Sequence, residues 1–154
     1  MVLEIGRPVP DFTLPDQHGQ RVELSSFRGV KAAAIMFYPF AFSGICTGEL
    51  CAVRDDLHTF RNDAVELLAI SCDHMFSLRA YADRDALDYP LLSDFWPHGE
   101  VATAYGVFDV EAGAATRGTF VVDRDGLLRW QVTHLIGMAR DLDDLRRAVH
   151  DLKR

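Results

Sequence analysis

Cys46 is the residue best placed to do chemistry. It closes the stretch Pro39-Phe40-Ala41-Phe42-Ser43-Gly44-Ile45-Cys46, in which an apolar run ends at a proline and a short loop leads into a helix opening at Ser43 or Gly44. Ser43 is a residue type favoured as a helix N-cap. Cys46 then falls in the first helical turn, where backbone N–H groups lack intrahelical partners and the helix dipole is positive. Both favour the thiolate, the nucleophilic form of cysteine. The plainer alternative is a small buried hydrophobe. Cys51 follows five positions later on the same helix. Cys72 ends an apolar run and reads as strand-end filler, with a reserve role as a second thiol. No two cysteines have Cys-x-x-Cys spacing, so a zinc centre or a thioredoxin-type dithiol lacks its usual ligands. The histidines (His18, His58, His74, His98, His134 and His150) form no His-x-x-x-His pair and read as surface residues. No metal and no cofactor is expected.

The elements that must position Cys46 alternate between strand and helix. Asp11–Leu14 and Arg21–Leu24 flank the turn Asp16-Gln17-His18-Gly19 as an N-terminal hairpin. Ala32–Tyr38 is apolar on both faces, as a central strand is. The helix after it is predicted to run to about Phe60, because Leu50, Val53, Leu57 and Phe60 recur at helical spacing. A buried strand over Val65–Ser71, a helix over Met75–Asp85, an extended Tyr89–Leu92 and a helical turn over Val101–Tyr105 follow. Thr119–Val122 and Leu127–Trp130 flank Asp123-Arg124-Asp125-Gly126 as a second hairpin. A last helix is predicted over Arg140–Lys153, with Leu142, Leu145, Val149 and Leu152 on its inner face. This order implies a three-layer α/β domain with a mixed sheet and a right-handed βαβ unit, compatible with a thioredoxin-like fold.

The 154 residues make a single domain, 1–154, large enough to bury a core without disulfides. The net charge of -7 argues against nucleic acid or an anionic membrane as partner. Residues 1–10 lack the pattern of a signal peptide. The longest apolar stretch, Ala32–Phe42, contains Pro39 and is far shorter than the about 20 residues a membrane helix needs. A reducing cytoplasm is the expected location.

The residues around Cys46 resemble the peroxiredoxin family. Its Pro-x-x-x-Thr/Ser-x-x-Cys signature stands here as Pro39, Ser43 and Cys46. Gly6-x-Pro8-x-Pro10-Asp11-Phe12-Thr13-Leu14, Leu91–Gly99 and Arg117-Gly118-Thr119-Phe120-Val121-Val122-Asp123 extend the likeness along the chain. Phe40–Leu50 is most similar to the alkyl hydroperoxide reductase E-type subfamily, often one-cysteine. The resemblance implies a thioredoxin-like fold and a thiol-dependent peroxidase. In it, Cys46 attacks hydrogen peroxide or an organic hydroperoxide and becomes a sulfenic acid. It also implies roles for the neighbours. Ser43 and the N–H groups of Ile45 and Cys46 would meet the peroxide oxygens. Arg117 would donate to the thiolate and the transition state, Pro39 would shield the sulfur, and Glu49 would orient an arginine. The family usually has threonine at position 43; serine keeps the hydroxyl on a freer side chain.

The resolving step stays open. Certain bacterioferritin comigratory-type members place a resolving cysteine at the Cys51 spacing, whereas one-cysteine members use an external thiol. In an intact helix, residues five apart lie about 8.7 Å apart at Cα, beyond the about 7 Å a disulfide spans. A Cys46–Cys51 bond therefore requires the helix start to unwind. The reductant would be thioredoxin, a glutaredoxin-like protein or a low-molecular-weight thiol. Phe40, Phe42, Phe95 and Trp96 read either as core or as the face of a homodimer. The competing functions on the same fold are a thiol-disulfide oxidoreductase and a redox-sensing or binding protein.

Overall fold

The computed structural model describes residues 2–152. Its frame is a five-stranded sheet in the order β5-β4-β3-β8-β9, formed by Leu91–Ser93, Val65–Ser71, Ala32–Phe37, Arg117–Val122 and Leu128–His134. β3 pairs in parallel with β4, and β4 with β5; β8 pairs antiparallel with both β3 and β9. The sheet is therefore mixed. The N-terminal hairpin, β1 (Thr13–Pro15) and β2 (Arg21–Glu23), forms its own small sheet. Leu24, read from the sequence as its last residue, instead begins a 3-10 turn over Leu24–Phe27. A second small sheet, β6 (Phe108–Asp109) with β7 (Ala114–Ala115), has no counterpart in the sequence reading.

β3 explains why the sequence is apolar on both faces there. Ala32, Ala34, Met36 and Tyr38 point into one core, with residues of α1 (Gly44–Asp55), α2 (Leu57–Phe60), α3 (Met75–Asp85) and α5 (Leu142–Asp151). Ala33, Ile35 and Phe37 point into the other, with Phe12, Leu14, Leu24, Phe120 and, from α4 (Glu100–Ala104), Val101 and Ala102. Alternating side chains of a strand serve opposite faces, so a central strand between two cores must be apolar throughout. Gly118 in β8 is needed for close approach: an added Cβ would lie 2.6 Å from Val107 Cγ1.

α4 lies one residue earlier than the expected Val101–Tyr105 turn, and two other helix boundaries differ by more. The helix predicted to run to Phe60 breaks at Asp56, whose backbone leaves the helical region (φ -130, ψ 36). The Asp56 carboxylate accepts hydrogen bonds from the Thr59 hydroxyl at 2.8 Å and from Arg146 Nε at 2.8 Å. This carboxylate ties the break to α5 and opens α2. The last helix starts at Leu142 rather than Arg140, because Asp141 caps it by accepting the Asp143 N–H at 2.9 Å. Arg140 is thereby released for another use. Lys153, the predicted end of that helix, lies outside the described residues. No helix among the described residues is long and apolar enough to cross a membrane.

Candidate active site

β3 ends at Phe37 and Pro39 is buried at the exit, so the chain must turn across the sheet edge before α1 begins at Gly44. Phe42 makes that turn in the left-handed region at φ 69, uncommon for a bulky residue. Its ring packs on Tyr81 (centroids 4.9 Å apart), and the Arg84 guanidinium lies 4.8 Å from its centroid. Ser43 occupies the N-cap position of α1, but its hydroxyl does not cap the helix; it donates to the Phe40 carbonyl at 3.0 Å. The open first turn leaves the amides around Ile45 and Cys46 free of a side-chain cap.

Cys46 is fully buried, on the inner face of α1 beside Leu50 and Val53. One turn later the buried Glu49 carboxylate reaches two arginines from elsewhere in the chain. Arg117, at the first residue of β8, donates from Nη1 to Glu49 Oε1 and from Nε to the Ile136 carbonyl at 2.8 Å. It is only 2% exposed. Arg140 donates from its backbone N–H at 2.7 Å and from Nε at 2.9 Å to Glu49 Oε2. Arg140 also donates to the Thr119 hydroxyl at 2.8 Å and to the Phe37 carbonyl. Burial lowers the Arg140 pKa from its ordinary value, and the Glu49 charge opposes that shift.

Two guanidiniums therefore share one carboxylate out of contact with water. The cluster keeps one unbalanced positive charge, and Arg140 lies within electrostatic reach of the Cys46 sulfur. A buried charge without a partner is costly.

The structure brings Pro39, Ser43, Ile45, Cys46, Glu49 and Arg117 into one region. Glu49 holds two arginines rather than one. Arg140 was absent from the sequence expectation; a cation at the start of a predicted helix, where the dipole disfavours it, was the available signal. Cys51 lies within the unbroken α1 and is half-buried; all three cysteines are free. The Cys51 side chain packs against the core cluster that includes Leu78 and Tyr81 of α3. Cys72 is buried just past β4, and desolvation pushes its thiol up to about 12. This makes it a poor reserve nucleophile. Phe40, Phe42, Phe95 and Trp96 are all exposed, Trp96 by 82%, which overturns the core reading for them. Five of the histidines are exposed and His134 is half-buried.

Replacing Glu49 by glutamine keeps the shape but removes the shared carboxylate. Unfolding in urea is expected to show Glu49→Gln destabilised by about 3–5 kcal/mol, the usual cost of stranding buried charge. A change below about 1 kcal/mol would mean that the two guanidiniums find other partners.

Residues 5–131 match the model of the AhpC/TSA family. The chain is 49% identical over 140 residues to alkyl hydroperoxide reductase E of Mycobacterium tuberculosis, covering 91% of this chain and 92% of that protein. It is 34% identical over 162 residues to a putative peroxiredoxin of Synechocystis, covering 99% of this chain and 80% of the other. The crystal structure of the peroxidoxin BcpB from Mycobacterium tuberculosis superposes with a TM-score of 0.83 at 31% identity, covering 98% of this chain and 97% of that one. The reduced 2-Cys peroxiredoxin of Plasmodium vivax, at 22% identity, shares the fold with a TM-score of 0.86 over 97% of this chain and 81% of that one. The sheet and its flanking layers are thus the thioredoxin-like fold of peroxiredoxins, and the chain belongs to the AhpC/TSA family.

Proposed function

We propose that this protein reduces hydroperoxides with the Cys46 thiolate. The observation that carries the reading is the unbalanced positive charge of Arg117, Arg140 and Glu49 beside a cysteine in the first turn of α1. The sulfur attacks one peroxide oxygen in line with the O–O bond. An S–O bond forms, the O–O bond breaks, and its electron pair leaves on the distal oxygen. That oxygen takes up a proton to become water or an alcohol, and Cys46 becomes a sulfenic acid. A free cysteine, with a pKa of about 8.5, is already a few per cent thiolate near neutral pH. Complete ionisation therefore gains only about thirtyfold in rate. Further acceleration must come from donors aimed at the separating oxygens. The arginines supply charge for this, and the Ser43 hydroxyl and the Ile45 and Cys46 amides supply hydrogen bonds. The sulfur is covered in the reduced form, so peroxide enters by displacing neighbouring side chains; Ile45, next to Cys46, is exposed on that side.

The sulfenic acid is resolved by the Cys51 thiol, which attacks the Cys46 sulfur and expels water, leaving a disulfide. This step needs the first turns of α1 to open. An external thiol, from thioredoxin, a glutaredoxin-like protein or a small thiol, returns the protein to its reduced state. The exposed apolar side chains Phe40, Phe42, Phe95 and Trp96 support a homodimer packed near the active site. Three free cysteines suit a reducing cytoplasm.

Stopped-flow tryptophan fluorescence of reduced protein mixed with hydrogen peroxide, then with an organic hydroperoxide, tests the first step. A fast phase is expected, slowed at least about 100-fold in Cys46→Ser; no Cys46-dependent phase with either oxidant would reject the peroxidase and favour the oxidoreductase or sensor. Mass spectrometry of peroxide-treated protein should find the Cys46–Cys51 disulfide, and Cys51→Ser should abolish it. Persistence of an intramolecular disulfide on Cys46 in that variant would move resolution elsewhere. Light scattering at micromolar concentration should give twice the chain mass; a monomer would remove the dimer.

A further inference from the structure

Asp73 takes no part in the chemistry above, yet it holds the segment from which Ser43 is presented. Its carboxylate Oδ2 accepts the Ala41 N–H at 2.8 Å and the Ser71 hydroxyl at 2.8 Å. Ser71 in turn accepts the Asp73 N–H at 3.3 Å, and the Asp73 carbonyl accepts the Ser93 hydroxyl at 2.6 Å. Ser71 ends β4 and Ser93 ends β5, so Asp73 is fixed to the rigid edge of the sheet. Ala41 immediately precedes Phe42, whose left-handed conformation relaxes unless something outside the loop maintains it. The loop is gripped twice: Asp73 holds the backbone before Phe42, and Tyr81 and Arg84 hold the ring. Between these grips and the Glu49 anchor lie Ser43, Ile45 and Cys46.

We propose that Asp73 is a positioning residue for the reaction of Cys46 with peroxide, holding the Ala41 amide so that Ser43 and the first-turn amides are aimed before substrate arrives. The proposal rests on the peroxidase reading above. A hydrogen bond to an ionised carboxylate is stronger than one between neutral groups, and only the gripped loop presents its donors together. When Asp73 is lost, the reactive population falls and the apparent rate falls with it.

The test compares Asp73→Ala and Asp73→Asn with the wild-type protein. Asp73→Ala is expected to lower the second-order rate constant with hydrogen peroxide about tenfold or more. Asp73→Asn, which keeps an acceptor oxygen for the Ala41 N–H, is expected to stay within about threefold of wild type. Alkylation of Cys46 by iodoacetamide, followed on the Cys46 peptide, needs none of the peroxide donors and should stay within about threefold in both. Hydrogen exchange of the Ala41 amide should quicken in Asp73→Ala alone. Unchanged peroxide rate in Asp73→Ala, equal loss in both variants, or alkylation falling by the same factor would each overturn the positioning role. If Asp73→Ala does not fold, Ser71→Ala replaces it: a fall of about threefold supports the role and no fall overturns it. The comparison of wild type with Cys46→Ser separately decides the peroxidase reading. Should that reading fail, Ala41 exchange still decides whether Asp73 anchors the loop.

Discussion

The Glu49 carboxylate, shared between two buried guanidiniums, is the constraint around which the rest of the molecule is organised. Arg117 comes from β8 and Arg140 from the loop before α5, while Glu49 itself sits on α1. Three separate parts of the chain must converge before all three charges find their partners. Isolated buried charges are among the most expensive features a fold can contain, so the packing of α1 on the sheet is fixed by electrostatics as well as by the apolar contacts of Leu50 and Val53. The same cluster cannot be neutral by itself. The reading proposed for Cys46 therefore draws on the same three residues that fasten α1 to the sheet.

The other side of α1 is held differently. Thr47 shares a hydrogen bond with the Tyr81 hydroxyl at 2.9 Å, and the Tyr89 hydroxyl donates to the Leu50 carbonyl at 2.7 Å. These are neutral contacts that exchange more readily than a buried ion pair. The helix is fastened at its middle by Glu49, while its first two turns carry Gly44 and Gly48, each with open space around it. Glycine in a helix costs backbone entropy relative to alanine, so Gly44 and Gly48 weaken the turns on either side of Cys46.

Much of this was legible in the sequence wherever the signal is local or periodic. The two-sided apolar strand over Ala32–Phe37, the turn at Pro39 and the helix start at Ser43 follow from neighbouring residues alone. The family resemblance singled out Glu49 and Arg117. Where the expectation failed, the deciding contact was remote. Asp56 breaks the helix because of Arg146, 90 positions away, while Leu50, Val53, Leu57 and Phe60 keep an unbroken helical period across it. Arg140 is a good helix former, and nothing nearby in the chain reveals that it belongs to Glu49, 91 positions earlier. Asp73 reads as an ordinary loop residue until Ala41, 32 positions before it, is found against its carboxylate.

The break at Asp56 has a mechanical consequence. Helix melting is cooperative, because each turn is framed by the one before it. A continuous helix from Gly44 to Phe60 would transmit disorder at its start toward the Phe60 side chain, which is wholly buried in the core. The interruption acts as a firebreak: fraying begun at the Gly44 end runs no further than Asp55, and α2, whose N-cap Asp56 is tethered through Arg146 to α5, stays in place. A yielding helix start and a permanent scaffold can then occupy neighbouring turns of the chain without sharing the same fate.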